Sequence, residues 1–581
     1  MGDRPRITAN LTRESHVLRR RYTYRKLCHE FEWNIPDRLN LAEQTVWRWA
    51  EVSGARAAIY TWVDGTCRFV TYRSLAHMAS VLAGRLNALG VRPGDRVGVL
   101  RGQDPWCAVA HVAIWQIGAI SVPLFKLFRR GALKTRLEDA GCHLVISDEE
   151  GAALLGDLAE VVVPERGLKG PECTTIADTS PDTPAVLIYT SGTTGAPKGA
   201  LHGHRILTGH LPGVEMSHGF LDQCDDVLWT PADWAWIGGL FDVLMPGLAL
   251  QVPVVAARMP KFSVEDCTRI IRDASVRNVF FPPTALRMLK AADAKLPGLR
   301  SVASGGEPLG AEMLAWGREA LGVTINEFYG QTECNMVASS CGALFEARPG
   351  AIGKAVPGFD VAVIDETGQP TEGEGDIAVR KGAASMMLEY WNKPLETQEK
   401  FRGDWLITGD RGVIEDGFIR FIGREDDVIT SAGYRIGPAE IEDCLLTHPA
   451  VATVGVVGKP DPVRTEIVKA YVVLKEGFSP DAEALQDWVK TRLAQYSYPR
   501  EIAFLDALPM TVTGKVIRKE LKARAAAEVN GTRRARAMHR GVLRDIAPNA
   551  LILGDFRYRY YVGITSVLRR YCVGARCGAR A

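Results

Sequence analysis

From Phe69 to about Phe328, apolar residues alternate between helical spacing and short continuous runs, and this alternation narrows the fold more than any other feature. Such segments bury a helix stripe against strands covered on both faces, which predicts an α/β fold with a largely parallel sheet. One unit is plain. Leu75, Met78, Leu82, Leu86 and Leu89 share one helical face, Gly90 ends the helix, Pro93-Gly94-Asp95 turns the chain, and Arg96 to Leu100 reads as a strand. The spacing predicts further pairs: a helix over about 264–274 before a strand at 278–281, and a helix over about 310–321 before a strand at 323–328.

Near Gly423 the texture changes. Gly423-Arg-Glu-Asp-Asp427 breaks the apolar strand 418–422, as a polar linker or hinge would. Beyond it, Pro438 opens a helix at 439–446, strands follow at 451–457 and 468–474, then a helix at 482–493 and a strand at 501–505, a small α+β unit. The expected division is 1–423, 424–527 and an arginine-rich tail, 528–581. For the tail, disorder, an anion-binding surface and a non-native extension all stand open.

Composition excludes several classes. With 46% hydrophobic and 24% charged among 581 residues, the chain is ordinary globular protein. The tail's arginines give residues 530–581 a net charge of +9 and leave about −7 on the rest, so nothing suggests a nucleic-acid partner. Twelve cysteines show no Cys-x-x-Cys pair or zinc spacing, which fits a reducing cytoplasm. Arg19 to Arg21 precede no apolar signal core, and no run of about 18 apolar residues occurs, so neither secretion nor a membrane span is expected. Asp3, Glu14, Glu30 and Glu32 argue against a transit peptide.

The chemistry concentrates first at 186–204. Val186 to Tyr189 form an apolar strand, and Thr190, Ser191, Gly192, Thr193, Thr194, Gly195, Lys198 and Gly199 supply hydroxyls, glycines and one ammonium. Glycines let backbone amides approach phosphate oxygens, and hydroxyls and the ammonium add charge-assisted contacts. It is not a Walker A loop, because Lys198 follows Pro197. A polar surface turn is the plain alternative.

This stretch resembles the phosphate loop of the adenylate-forming superfamily, and the resemblance extends over about 70–525. It implies a large multi-sheet N-terminal domain with a small mobile α+β C-terminal domain. Activating a carboxylate with ATP brings like charges together, which cations and backbone donors must offset. Gly305, Gly306, Glu307 and Pro308 match the segment lining adenine. Glu327-Phe328-Tyr329-Gly330-Gln331-Thr332-Glu333 matches the next element, where the tyrosine stacks on adenine, the threonine meets the α-phosphate and acyl carboxylate, and Glu333, with Thr193, serves magnesium. Asp410, in Thr-Gly-Asp, is implied to accept from the ribose hydroxyls. Arg424 would contact ribose or phosphate, and Asp426 is the implied hinge. Gly433 would pass the pantetheine arm, Arg435 would reach the nucleotide phosphate during thioester formation, and Lys515 is the implied catalytic cation, expected to be charged at neutral pH.

The run 433–442, with His448-Pro-Ala-Val451, Asp461 to Arg464 and Tyr498-Pro-Arg500, resembles medium-chain acyl-CoA synthetases most. That resemblance implies CoA contacts at Tyr434, Arg464 and Lys490, with Thr465 standing where a glycine is usual. Acetate-selective relatives carry tryptophan at the position of Gly330, so glycine implies an open acyl pocket and a medium-chain acid, with Trp234, Trp236 and Ile237 as candidate lining. The expected cofactors and substrates are ATP, Mg2+, CoA and a small carboxylic acid; the oligomeric state stays open. Rival readings are an adenylating enzyme that loads a carrier protein, an acetate or propionate ligase, and a degenerate nucleotide-binding scaffold.

Overall fold

The computed structural model describes residues 17–529, apart from 169, 191–196, 222, 224, 260, 425–426, 432–433, 462–463, 494–496 and 512–514, and apart from the side chains of 430, 434 and 435. The tail from 530 onward lies outside the described residues.

The α/β alternation forms as its spacing predicts. Thr71 caps the helix Tyr72–Ala88 by accepting from the Ser74 amide, and Leu75, Leu82 and Leu86 are buried under it. Strand Arg96–Leu100 then lies parallel between Ile120–Pro123 and Leu144–Ser147. These belong to a seven-stranded sheet running Glu389–Tyr390, Lys198–Gly203, Pro184–Thr190, Ile120–Pro123, Arg96–Leu100, Leu144–Ser147 and Glu160–Val162. A nine-stranded sheet holds Asn278–Phe280, Ser301–Gly305 and Ile325–Tyr329 as parallel neighbours. Helix Val264–Asp273 starts on a Ser263 cap, and helix Ala311–Trp316 continues as a wider turn over Gly317–Leu321.

A third, antiparallel sheet of five strands includes Gly375–Arg380, Trp405–Glu415 and Phe418–Arg424. Here the strand runs two residues further than expected, Gly423 pairing with Arg411 and Arg424 with Asp410, and it ends inside the segment 423–427 read as the break. The last sheet, also of five strands, carries Ile429–Ser431, Tyr434–Ile436, Val451–Asp461, Thr465–Leu474 and Glu501–Phe504, backed by the helices Pro438–Leu446 and Ala482–Lys490. Its apolar clusters contain only residues from 429 onward. A helix over 518–529 closes this lobe. Glu528 pairs with Lys459 at 3.1 Å and with Lys469, so 528–529, assigned to the tail on sequence, belong to the lobe.

All described cysteines are free, and among the described residues no helix is long and apolar enough to cross a membrane.

Candidate active site

Side chains from the three large-domain sheets and from the small lobe approach one another here: Tyr329 meets Asp410, Glu333 meets Tyr390, and Lys515 reaches Gly306. In the seven-stranded sheet, Thr190 ends one strand and Lys198 begins the next, paired across the hairpin that carries the phosphate loop. The Thr190 hydroxyl donates to the Lys198 carbonyl at 3.4 Å. Ser191, Gly192, Thr193, Thr194 and Gly195 lie outside the described residues.

In the nine-stranded sheet, Gly306 follows a strand with φ +99°, a backbone region that glycine enters without cost. Glu307 is held by Arg287 at 3.0 Å. Lys515 comes from the small lobe to this spot, its Nζ 3.6 Å from where a Cβ on Gly306 would sit. The side chain still faces the open cleft, yet surrounding protein lowers its pKa by desolvation; Glu307 and Asp410 oppose that shift and Arg424 adds to it.

Strand Ile325–Tyr329 sends alternate side chains to different places. Phe328 packs inward against Phe280, with ring centroids 5.1 Å apart, so its side chain belongs to the core and only its backbone is left for a nucleotide. Glu327 is buried beside the Leu309 backbone, and burial, with Asp443 of the lobe adding to it, raises its pKa to about 8. The Tyr329 hydroxyl bonds Asp410, and the Gln331 amide donates to the Thr408 carbonyl at 3.0 Å. Glu333 is buried and accepts from the Tyr390 hydroxyl at 2.5 Å. Thr332 is half-buried beside it, and Pro308 is half-buried after Glu307.

Asp410 sits mid-strand opposite Arg424, whose Nε lies 3.4 Å from its carboxylate. Burial raises the Asp410 pKa, while Tyr329, Arg424, Lys400 and Lys515 pull it back. The hinge candidate Asp426 lies outside the described residues, but its neighbour Asp427 pairs with Lys522 at 2.9 Å and with Arg518 at 3.8 Å.

Lys490 pairs with Asp487 at 2.8 Å under the Tyr498 ring, both within the lobe. The Arg464 amide donates to Asp461 at 2.8 Å. Gly433 and the side chains of Tyr434 and Arg435 lie outside the described atoms. Thr465, where a glycine was expected, has φ +68°.

Gly330 overturns its reading. A Cβ there would lie 2.2 Å from the Met336 amide nitrogen, so the glycine is required by a close backbone approach and fronts no open space. Trp234 is fully buried core; Trp236 is half-buried with its ring edge-on to Phe125 at 5.5 Å, and Ile237 is half-buried beside it. Sequence reasoning missed Arg287, Lys400 and Tyr390, none of which stands in a spacing pattern that announces chemistry.

Among the described residues no cluster of three or more His, Cys, Asp or Glu forms a metal cage. A lone buried carboxylate, Glu333, fits magnesium, which is bound through one or two carboxylates plus substrate phosphates and keeps several waters.

A hairpin with Thr190 and Lys198 at its ends, the buried Asp410 and a lysine brought in by the second lobe match the arrangement expected of an adenylate-forming enzyme. The family model for AMP-binding enzymes matches residues 46–391, and the model for the AMP-binding enzyme C-terminal domain matches 440–515. The chain is 36% identical over 467 residues to acetyl-coenzyme A synthetase of Bacillus subtilis, covering 74% of this chain and 81% of that one. It is 31% identical over 541 residues to the Mus musculus protein "Acyl-coenzyme A synthetase ACSM3, mitochondrial", covering 86% and 93%. A crystal structure of Brucella canis acyl-CoA synthetase superposes with TM-score 0.66 at 32% identity, over 87% of this chain and 99% of that one. The anthranilate CoA ligase AuaEII, solved with anthranoyl-AMP, gives TM-score 0.78 at 27% identity, over 85% and 99%. The chain belongs to the AMP-binding enzyme family: it is an AMP-forming acid–thiol ligase of the acyl-CoA synthetase kind, with ATP, Mg2+ and CoA as cofactor and co-substrates.

Proposed function

We propose that this enzyme activates a medium-length carboxylic acid and passes it to CoA through two half-reactions run in one cleft. In the first, a carboxylate oxygen attacks the α-phosphorus, the bond to the β-phosphate oxygen breaks, and pyrophosphate leaves. Lys198 and the loop 190–195 hold the phosphates, Thr332 and Lys515 meet the carboxylate and α-phosphate, Asp410 takes the ribose, and Gly306 to Pro308 with Tyr329 take the adenine. In the second, the lobe turns about Asp426, the CoA sulfur attacks the acyl carbon, AMP leaves and the thiol proton passes to solvent. Tyr434, Arg464 and Lys490 then serve CoA, Arg435 the nucleotide phosphate, and Gly433 the pantetheine passage. The domains so used are 1–423 and 424–529.

The observation that carries this reading is Lys515 beside Gly306, with Glu307, Asp410 and Arg424 around its ammonium. The half-buried Trp236, edge-on to Phe125, and the half-buried Ile237 beside it support an acid larger than acetate, since each buried methylene contributes about 0.8 kcal/mol. The identity to an acetyl-coenzyme A synthetase favours acetate or propionate as a second reading. Free cysteines support a reducing, cytoplasmic setting.

Pyrophosphate release and CoA consumption, measured over acids from two to twelve carbons with aromatic acids included, test both. A maximum at six to ten carbons is expected. Maximal turnover on acetate overturns the chain-length reading, and acid-dependent pyrophosphate release without CoA consumption overturns CoA as acceptor.

A further inference from the structure

Tyr390 touches two groups that the nucleotide must meet, and no motif singles it out. Its hydroxyl donates to Glu333 Oε1 at 2.5 Å, and its ring centroid lies 5.3 Å from the Lys198 ammonium. The mount is rigid. Strand Glu389–Tyr390 pairs with Lys198–Gly203, the Trp391 amide donates to the Gly199 carbonyl at 2.7 Å, and the Met387 amide donates to the Glu333 carbonyl at 2.8 Å. The ring itself is buried against Ala200 and Met387.

We propose that Tyr390 is a positioning residue, which orients the Glu333 carboxylate for a divalent cation and holds the Lys198 ammonium beside it before the triphosphate arrives. A hydroxyl on Oε1 leaves Oε2 free to ligate, and fixing the carboxylate beforehand removes the ordering cost from metal binding. The ring face attracts the ammonium, which meets no carboxylate among the described residues, so Lys198 keeps its hydrogens for phosphate oxygens.

The inference rests on the ligase reading, in which Glu333 and Lys198 serve Mg2+ and phosphate. Its test measures ATP binding by titration calorimetry on the full chain over a series of Mg2+ concentrations, for wild type, Y390F, E333Q and the double variant. Y390F keeps the ring, so saturating Mg2+ should restore wild-type ATP affinity, while the Mg2+ midpoint rises by about 10-fold. On the E333Q background Y390F should add nothing. Y390L, which also loses the ring, should bind ATP more weakly even at saturating Mg2+. A Y390F midpoint equal to wild type overturns the proposal. So does a shift that persists in full on E333Q, which is what a general packing defect would give. Should wild type bind Mg2+ and ATP yet release no pyrophosphate with any acid, the ligase reading falls and the Tyr390 comparison is still decided.

Discussion

The Tyr329 hydroxyl donates a 2.6 Å hydrogen bond to Asp410 Oδ2, tying the end of a strand in the nine-stranded sheet to the middle of a strand in the five-stranded one. Two groups far apart in sequence are thereby fixed as one unit of the proposed nucleotide site. Removing a donor from a buried carboxylate costs about 1.5–3 kcal/mol, or roughly 10–150-fold in an equilibrium. Tyr329→Phe should therefore raise KM for ATP at least about tenfold, with kcat changed less. Steady-state kinetics in varied ATP check this, and an unchanged KM would show that Asp410 does not depend on Tyr329.

Lys515 is carried by the small lobe to Gly306, and in the proposed function only the adenylation half-reaction needs it. Lys515→Ala should cut adenylation by about 10²–10³, the scale for losing one preorganised donor, and spare thioester formation from supplied acyl-adenylate. Single-turnover assays of each half separate the two; equal losses would remove the assigned role.

Glu327 and Asp443 are buried carboxyls, one from each domain, raised to about 8 and about 6, both mainly by burial, with Arg287 partly offsetting the shift at Asp443. A carboxyl raised in the folded state binds more protons there than when unfolded. Its stabilising contribution is full below the ordinary value near 4.5 and is lost as pH rises through about 8. Urea midpoints should fall between pH 5 and pH 8.5 in wild type, and fall less in Glu327→Gln. Parallel pH profiles would contradict the protonated Glu327.

At Gly330 even one carbon is too many. With its Cβ 2.2 Å from the Met336 nitrogen, Gly330→Ala should destabilise by about 1–3 kcal/mol through overpacking and reduce activity with every acid alike. Gly330→Trp should do worse rather than switch chain length. Thermal melts and an acid panel check this; a stable alanine variant with altered selectivity would restore the open-pocket reading.

Thr465 is a β-branched residue held at φ +68°, a conformation that costs L residues about 1–2 kcal/mol. Thr465→Gly relieves the strain but frees the unfolded chain, so a net gain near 1 kcal/mol is expected in a urea titration. No gain would mean that the turn relaxes around threonine already.

Much of the fold was legible because helix and strand periods are local properties. Leu75, Leu82 and Leu86 point to the core for the same reason that they recur on one face. Boundaries were less so. Gly423 looks like a break but keeps its strand, since pairing with Arg411 overrides its local preference.

By itself the sequence determined the α/β layering, the small second lobe and the chemical identity of Lys198, Glu333, Asp410 and Lys515. Only the tertiary structure decided that Phe328 turns inward, that Gly330 meets backbone instead of space, and that Tyr390 joins Glu333 to Lys198. Periodicity and residue type are carried by neighbours along the chain. The direction of a side chain and the emptiness of a pocket depend on which distant strands pack beside it, and no local pattern encodes that.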